Sequence, residues 1–375
     1  MKRKLLIAGL AVLMAAVAVR VGVFLVRVLP SLHRVDAGIS HSAAAGEPIN
    51  ILVTGSDSRA AVSEEQSDTF GKGKVSGTRA DSILLVHYSS ARHAAVLVSL
   101  PRDLRVAIPG TWPGRPKTEV YGKLDSAFNG GPALLVKTVE RFTGLPIDHF
   151  VSIDLAGFQK VIDTAGGLTV DAPCALKDKV AGLDLKAGTQ RVNGSQALAL
   201  VRARHFDPQG DFGRQARQRA LLIALFERLK KVPTTRWDRL VSDLRPAVAV
   251  DKDLSSRKIL GMARSAKGMK SKDVQTLSLP SKTGMIGRIS YVLEIPERTK
   301  LLWEAIAADQ PVPQEVISGA PGAVPTPTAR PTVSPSPSPS GSPSAVASAS
   351  PAPTFGPNTA MVPCGREMKP LTIRP

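Results

Sequence analysis

The segment RARHFDPQGDFGRQARQR at residues 202–219 carries its arginines in two groups with aspartates between them. Arg202 and Arg204 are two residues apart, so they point to one face if this part of the chain is extended. Closely spaced cations repel one another, and an anion with several oxygen atoms would neutralise them. A solvated basic face or a nucleic-acid patch is the alternative explanation of such a run.

A second pair of anion-binding side chains lies on the helix predicted from Gly213 to Lys230. Arg214 and Gln218 are four residues apart and therefore share one face of that helix. They lie in its first turns, where the helix dipole favours anions and disfavours cations. The density of positive charge at this end indicates an anion site, whereas Arg219 is expected to be solvated.

Charged residues also border three apolar runs that we predict to be buried strands. These runs are Ile49–Val53, Ile83–Val86 and Ala95–Leu100. Asp57 and Asp81 lie near two of the strand ends, and in α/β sheets ligand sites gather in the loops at such ends. Two carboxylates together with substrate phosphate suit one Mg²⁺ ion, with Mn²⁺ as the alternative metal.

Arginines occupy the same three strand ends, at Arg59, Arg79 and Arg102. A guanidinium group binds phosphate through two parallel hydrogen bonds, so these side chains are candidates for contacts to phosphate oxygens. Each could instead pair with a neighbouring aspartate at the surface, which contributes only about 0–1 kcal/mol to stability. Three arginines at three strand ends favour the binding site, and pyrophosphate with a divalent metal fits this inventory.

The composition limits the classes of partner. The 375 residues carry a net charge of +18, which implies an anionic partner such as nucleic acid, a membrane surface or a phosphate-bearing substrate. Aromatic residues make up only 4% of the chain, which argues against a surface that stacks the bases of single strands.

The N-terminus indicates the compartment. A basic start, MKRK, precedes the apolar run Leu5–Val19. Over residues 5–28 the segment is long enough to cross a bilayer as a single-pass signal anchor, with Arg20 near its outer boundary. Cleavage as a signal peptide after the A-V-A at residues 16–18 is the main alternative, and a soluble cytoplasmic chain is the remaining one. In the first two cases residues 1–4 stay in the cytoplasm and the body is extracytoplasmic, so nucleic acid is not expected as a partner.

The rest of the chain divides into three parts. A linker at 29–48 leads to a globular body at 49–309, and the Pro/Ser/Thr-rich residues 310–375 are predicted to be a disordered tail. Within the body, predicted strands alternate with predicted helices, which indicates an α/β sheet with helices packed on its faces. The predicted helices are Pro132–Thr143, Leu155–Ala165, Ser195–Val201, Gly213–Lys230, Ser255–Ala266 and Pro296–Ala308.

The chain has two cysteines, Cys174 in the body and Cys364 near its C-terminal end. In an exported chain two such thiols can pair, and the bond would fasten the end of the tail to the body. Two unpaired thiols, or a body cysteine that is simply buried, are the alternative.

Seven short motifs occur in an order and at a spacing that resemble the LytR-CpsA-Psr family. They are GSDSR at 55–59, TRADS at 78–82, SLPRD at 99–103, KLDSAF at 123–128, GG at 166–167, NGSQALALVRARH at 193–205 and DFGRQARQ at 211–218. The resemblance covers the body from about Asn50 to Leu229 together with the N-terminal anchor. It implies an α/β domain whose mixed central sheet is flanked by helices on both faces.

The resemblance also implies a transferase of the cell envelope. Members of the family are extracytoplasmic single-pass proteins that move glycan polymers from polyprenyl-pyrophosphate donors onto peptidoglycan, forming a phosphodiester. The implied partners are a lipid-linked glycopolymer, a peptidoglycan acceptor and the cytoplasmic membrane. A pyrophosphatase or phosphatase that uses the same site on water is one alternative. A membrane-bound transcriptional regulator, supported only by the positive charge, is another.

Carried over by position, the resemblance implies Asp57 and Asp81 as the metal ligands. The residues implied to hold the pyrophosphate head are Arg79, Arg102, Lys123, Arg202, Arg204, Arg214 and Gln218, with Arg59 at a less uniform position. Asp211 is implied to orient these arginines or to act in the site, and Asp125 stands where the family usually has asparagine. Because a guanidinium group keeps its proton at neutral pH, Asp103 or Asp211 is the expected general base if one is needed. Together with Arg102, these two are the candidate catalytic residues.

Overall fold

A computed structural model describes residues 32–44, 46–56, 82–110, 120–266, 269–318 and 358–375 of the chain. Within these residues, no helix is both long enough and apolar enough to cross a membrane. The anchor predicted at residues 5–28 lies outside them, as do Asp57, Arg59, Arg79 and Asp81.

The described elements alternate between strands and helices. The strands are β1 (His33–Val35), β2 (Ile49–Ser56), β3 (Ser82–Ser89), β4 (Ala94–Leu100), β5 (Arg105–Ile108), β6 (Val120–Lys123), β7 (His149–Asp154), β8 (Leu168–Ala172), β9 (Leu176–Asp178), β10 (Leu183–Leu185), β11 (Gly188–Val192), β12 (Val248–Asp251), β13 (Val274–Ser278), β14 (Ser281–Ile286), β15 (Ile289–Glu294), β16 (Thr359–Cys364) and β17 (Glu367–Arg374). The helices are α1 (Leu124–Ala127), α2 (Pro132–Thr143), α3 (Leu155–Ala165), α4 (Gly194–Arg202), α5 (Asp211–Leu229), α6 (Trp237–Ala247), α7 (Ser256–Ser265), α8 (Pro296–Ala307) and α9 (Gln314–Ser318).

The central sheet contains seven described strands in the order β1-β12-β7-β2-β3-β4-β13. The pairs β1–β12, β7–β2 and β4–β13 are parallel, and the other neighbouring pairs are antiparallel. The sheet is therefore mixed, and the α/β class predicted from the sequence is confirmed.

Helices cover both faces of this sheet. Side chains alternate along its strands, so apolar residues of one strand pack against helices on either face. On β3, Ile83 and Leu85 point into a core formed with α2 and α8. Leu84, between them, points to the opposite face and packs near Ile223 of α5. Helices α3, α4, α5 and α6 share a further core with the smaller sheet that contains β8 and β17.

The linker predicted at residues 29–48 contains β1, which pairs with β12. Arg34 strengthens this pairing, since its Nη1 donates to the carbonyl oxygens of Asp251 at 3.1 Å and Leu254 at 2.6 Å. The structured body therefore already includes His33, earlier than the predicted boundary at Ile49. Neither β12 nor α6 was predicted from the sequence.

The C-terminal residues form a hairpin of β16 and β17, and β17 pairs with β8 of the body. A disulfide joins Cys174 to Cys364, with the Cα atoms 5.8 Å apart. This is the pairing that the sequence left as one of two alternatives. The prediction of a disordered tail over the whole of 310–375 is wrong at both of its ends. Residues 310–318 include the helix α9, and Val312 and Val316 are buried in the core. Residues 358–375 are held on the body by ladder hydrogen bonds and a covalent link.

Candidate active site

One edge of the central sheet collects the strand ends to which the predicted site residues are attached. Gly55 near the end of β2 pairs with Ser82 at the start of β3, and Leu100 at the end of β4 pairs with Ile83. Ser278 at the end of β13 lies beside Ser99 of β4. We call this side of the sheet the site edge.

The two predicted metal ligands lie outside the described residues, and so do Arg59 and Arg79. The residues on either side of this segment meet at the site edge, since Gly55 and Ser82 are paired. In the part of the chain that the structure describes, no group of three or more His, Cys, Asp or Glu side chains is placed to hold a metal. The assignment of Asp57 and Asp81 to Mg²⁺ or Mn²⁺ therefore remains a prediction.

The turn after β4 carries the first described cluster of charged side chains. The Asp103 carboxylate lies 2.5 Å from Lys123 Nζ and 3.5 Å from Arg102 Nε. Backbone bonds fix this cluster, since the N–H groups of Leu124 and Asp125 donate to the carbonyl oxygens of Leu104 and Arg102, each at 2.9 Å. Two cations and one carboxylate are thus held at the site edge, where an arriving phosphate would compete with Asp103 for both cations.

Asp125 occupies the position where the resemblance leads one to expect asparagine. Its side chain is buried within the short helix α1, which begins directly after Lys123. Its backbone N–H bond to Arg102 links α1 to the turn after β4. In this chain the residue therefore helps to position Arg102 through its backbone.

The start of α5 carries a second cluster. Arg214 Nη2 lies 2.5 Å from Asp211 Oδ1, and Gln215 Nε2 donates to Asp211 Oδ2 at 2.9 Å. Arg214 and Gln215 are buried, and Asp211 is the first residue of the helix, where the dipole favours a carboxylate. This geometry agrees with an orienting role for Asp211 toward Arg214.

The segment around Arg202 differs from the expectation. Helix α4 continues through Arg202, and the N–H of Ala203 still bonds to the carbonyl oxygen of Ala199 at 3.0 Å. Arg202 and Arg204 therefore do not lie on one extended strand. Burial lowers the pKa of Arg202, whereas Arg204 is exposed.

Asp178 holds the backbone that follows α4. Its Oδ2 accepts from the N–H groups of Arg204 at 2.9 Å and His205 at 3.0 Å. Burial alone would raise the pKa of Asp178, but these bonds and one from Ala181 outweigh it and hold the pKa far below its ordinary value. The carboxylate is therefore ionised and fixes the chain on which Arg204 lies.

Arg217 is fully buried and connects α5 to the turn after α4. It forms an ion pair with Asp207, and it donates to the carbonyl oxygens of Leu200 at 3.1 Å and Ala203 at 2.5 Å. The sequence placed Arg217 on this helix without predicting its burial. The sequence held one weak indication of this burial. The turn before the helix contains a single aspartate, Asp207, and a buried guanidinium requires a carboxylate partner of this kind.

Arg219 corrects the prediction of a solvated side chain. It is only 4% exposed, and its Nη1 donates to Ser99 Oγ at 2.6 Å and Ser278 Oγ at 3.1 Å. Among the described residues, no carboxylate pairs with it. Burial lowers the pKa of Arg219 to about 9. The physical reason is that α5 lies on the sheet, and two hydroxyls at the site edge accept from this guanidinium.

A largely apolar cavity opens beside these side chains, between the sheet and helices α3, α4 and α5. Its polar lining consists of Thr54, Ser82, Ser99, Gln159, Gln215, Gln218 and Arg219. Its apolar lining includes Ile153, Phe158, Ile162, Leu198, Val201, Leu221 and Leu222. The predicted residue Gln218 thus faces an apolar chamber whose polar groups are supplied by the site edge.

The family model described as the LytR_cpsA_psr family matches residues 31–306. Over 196 residues the chain is 38% identical to the probable cell wall biosynthesis protein LcpB of Corynebacterium glutamicum, which covers 52% of this chain and 45% of that protein. It is 32% identical over 231 residues to the polyisoprenyl-teichoic acid–peptidoglycan teichoic acid transferase TagV of Bacillus subtilis, covering 60% of this chain and 57% of that protein. The chain thus spans about half the length of the curated relatives it matches.

Solved structures share the same fold. The crystal structure of TagV from Bacillus subtilis matches with a TM-score of 0.57 at 28% identity, over 72% of this chain and 100% of that chain. A LytR-Csp2A-Psr enzyme from Actinomyces oris matches with a TM-score of 0.56 at 24% identity, over 73% of this chain and 95% of that one. The second likeness shows the fold alone.

Proposed function

The chain belongs to the LytR_cpsA_psr family, and we propose that it transfers a glycopolymer from a polyprenyl-pyrophosphate donor to peptidoglycan. The observation that carries this proposal is the apolar cavity beside a cationic sheet edge. A lipid pyrophosphate has both properties, a hydrocarbon chain and a head with several anionic oxygens. The relative TagV is named for a donor and an acceptor of this kind.

The lipid chain would occupy the cavity between the sheet and α3, α4 and α5. Phe158, Ile162 and Leu221 are among its apolar walls, and Gln218 and Arg219 belong to its polar lining. Removing a prenyl chain from water into such walls stabilises the complex by about 25 cal/mol for each Å² of apolar surface buried. The head group would then lie at the site edge.

The pyrophosphate would be held by the cations of both described clusters. Arg102 and Lys123 belong to the cluster after β4, and Arg214 belongs to the cluster at the start of α5. The aspartate in each cluster keeps its cations oriented before the anion arrives. Preorganised charges of this kind stabilise a phosphoryl-transfer transition state without reorganising during the reaction. Arg59, Arg79, Arg202 and Arg204 complete the proposed set.

A divalent metal would fit two carboxylates that are next to β2 and β3 in the sequence. Asp57 follows β2 and Asp81 precedes β3 in the chain, and the paired ends of these strands adjoin the cavity lining at Gly55 and Ser82. An oxygen donor set of carboxylates and phosphate suits Mg²⁺, and Mn²⁺ can replace it. When bound, the ion would neutralise charge on the pyrophosphate oxygens.

The reaction would proceed by attack of a peptidoglycan sugar hydroxyl on the phosphorus nearer the glycan. A new P–O bond forms to the acceptor, the bond from that phosphorus to the bridging oxygen breaks, and polyprenyl phosphate leaves. The hydroxyl proton passes to a base, for which Asp103 and Asp211 are the proposed residues. Each carboxylate is fixed by cationic partners, so either can be positioned at hydrogen-bond distance of a bound hydroxyl.

The apolar segment at residues 5–28 would anchor the chain in the cytoplasmic membrane, with the body on the outer side. Such an arrangement would put the site in the compartment that holds peptidoglycan.

A conjugation assay tests the proposal directly. The full chain in detergent would be given polyprenyl-pyrophosphate-linked polymer, a divalent metal and peptidoglycan glycan strands. A polymer–glycan conjugate joined by a phosphodiester, detected by mass spectrometry, is the expected product. Free polymer with no conjugate would contradict the transferase and support a pyrophosphatase acting on water.

A further inference from the structure

The hairpin of β14 and β15 presents an aliphatic tip that is exposed on both faces. Every residue from 285 to 290 is exposed, including Met285 at 64%, Ile286 at 41% and Ile289 at 51%. Ile286 and Ile289 are cross-strand partners on either side of a turn that begins at Gly287, whose φ is 61°. Three neighbouring aliphatic side chains held away from any core mark an interaction surface.

The same tip is cationic. Lys282 and Arg288 are exposed, and the sequence from Lys282 to Ser290 contains no acidic residue. Aliphatic side chains that enter a bilayer surface, with Lys or Arg beside them at the level of anionic headgroups, are typical of membrane-docking segments. The tip lacks the aromatic side chains that would stack on a sugar ring.

The base of this hairpin lies at the site edge. Leu279, just before it, donates its N–H to Ser99 O at 2.9 Å, and Ile295, just after it, donates to Pro280 O at 2.9 Å. Val292 of β15 donates to the carbonyl oxygen of Asp103 at 2.9 Å. The hairpin therefore rests on the candidate site while its tip stays exposed.

The N-terminal segment joins the body at the same edge of the sheet. His33 at the start of β1 lies level with Ala249 of β12, and the alignment continues across the sheet through Ser152, Thr54 and Ile83. The apolar run Leu5–Val19 thus precedes a strand that starts at the site edge. β1 and β13 are the two outermost strands, so the site strands lie between this connection and the hairpin.

We propose that Met285, Ile286 and Ile289 insert into the surface of an anionic membrane and that the site edge consequently faces the bilayer. Lys282 and Arg288 would remain among the lipid headgroups. Membrane docking of the tip is a property separate from transferase activity. Only its benefit, access of a lipid donor to the cavity, rests on the proposed function. A donor lipid could then reach the cavity while the hairpin and the N-terminal segment hold the site edge against the membrane.

The test places an environment-sensitive fluorophore on the tip of the full chain. Ile289→Cys is labelled with a nitrobenzoxadiazole dye, since both native cysteines are held in a disulfide. Ala91→Cys is the matched control, because this exposed residue lies in the turn between β3 and β4 at the opposite edge of the sheet. Both proteins are reconstituted in vesicles of phosphatidylglycerol and phosphatidylcholine, with and without lipids brominated on their acyl chains.

We expect the dye at position 289 to be quenched at least about threefold more than the dye at position 91, because only the tip enters the acyl region. Equal quenching at the two positions would overturn the proposal. Lys282→Glu with Arg288→Glu should abolish the excess quenching, whereas the exposed pair Lys160→Glu with Lys231→Glu should preserve it. Quenching that survives the reversal at the tip would contradict the assignment to anionic lipid.

Two further outcomes separate this inference from its alternatives. A response of the dye at position 289 to peptidoglycan glycan strands, with no quenching in vesicles, would identify the tip as an acceptor surface and overturn membrane docking. The conjugation assay, run on the same unlabelled chain in detergent, reports the proposed function independently. If the chain transfers polymer but its tip does not insert into the membrane, only the hairpin proposal is rejected.

Discussion

Arg217 and Asp207 form an ion pair that is completely buried, and it ties the start of α5 to the turn that precedes it. Through Arg217 the helix also holds the carbonyl oxygens of Leu200 and Ala203. The same buried ion pair therefore holds the proposed binding residues before this turn and those on the helix after it. A residue with no assigned binding role fixes the relative placement of residues that have one.

Removal of the carboxylate of this pair should destabilise the protein strongly. Asp207→Ala leaves the Arg217 charge buried without a partner, so we expect a loss of about 3–5 kcal/mol in the free energy of unfolding. Urea unfolding followed by circular dichroism measures it. Asp184→Ala is the control, because the Asp184–Lys177 pair is exposed and should contribute only about 0–1 kcal/mol. A similar small loss for both variants would contradict the prediction.

Gly213→Ala should be destabilising because of the same carboxylate. A Cβ at this position would overlap the side chain of Asp207, and overpacking of this kind costs about 1–3 kcal/mol. Gly261→Ala is the matched control within α7, since a Cβ there meets nothing within 4 Å. That variant should gain about 0.5–1 kcal/mol from helix propensity. Thermal unfolding of the two variants should therefore shift in opposite directions.

Burial of Arg219 predicts a dependence of stability on alkaline pH. Its pKa is about 9 in the folded protein, below the ordinary value of 12.5. Between these values the unfolded chain binds the proton more tightly than the folded one, so this residue's contribution to stability rises with pH. Below pH 9 the cost of the buried charge is present in full.

Arg219→Met provides the comparison that isolates this effect. The free energy of unfolding of the parent chain minus that of Arg219→Met should increase from about pH 8 to about pH 11, and other titrating groups cancel in the difference. Chemical denaturation at a series of pH values measures it. A difference that stays constant over this range would show that the charge is compensated in the folded protein.

Lys123 should be needed for catalysis. It contacts Asp103 at 2.5 Å and is one of the two cations at the turn after β4, so Lys123→Met removes charge stabilisation of the transferring phosphoryl group. We expect kcat to fall by about 100-fold in the conjugation assay. Lys123→Arg should recover part of the loss. Lys258 is half-buried, like Lys123, and Lys258→Met should leave the rate unchanged. An equal effect of the two methionine variants would refute the role.

The disulfide should stabilise the body through its C-terminal hairpin. Cys174 and Cys364 are 190 residues apart in sequence, so the bond closes a long loop in the unfolded chain. Reduction, or the double variant Cys174→Ala/Cys364→Ala, should lower the free energy of unfolding by about 2–5 kcal/mol. Hydrogen exchange should show faster opening of β17 and β8 in the reduced protein, while β3 at the centre of the main sheet stays protected.

Most of the secondary structure could be predicted from the sequence, because its signals are local. Pro132 at the first position of α2 and Gly144 at its end, with φ of 71°, mark a helix whose predicted bounds agree with the structure. The apolar runs of β2, β3 and β4 likewise predicted buried strands ending in charged loops. These strands do converge at one edge of the sheet.

The side-chain environments could not be predicted in the same way, because they depend on distant parts of the chain. Arg219 is buried only because Ser99 and Ser278, from two neighbouring strands, supply its acceptors. Arg202 remains helical although the segment was predicted to be extended, since local spacing does not reveal where a helix ends. The order of the strands, with β7 and β12 between β1 and β2, likewise has no local signal.

Both ends of the Pro/Ser/Thr-rich residues 319–357 are attached to the same body, at α9 on one side and at β16 on the other. A single proteolytic cut anywhere within this segment would release nothing, since the C-terminal piece stays linked through Cys174 and Cys364. A nicked molecule would separate into two fragments only after reduction and unfolding, so electrophoresis with and without a reducing agent would reveal the cut.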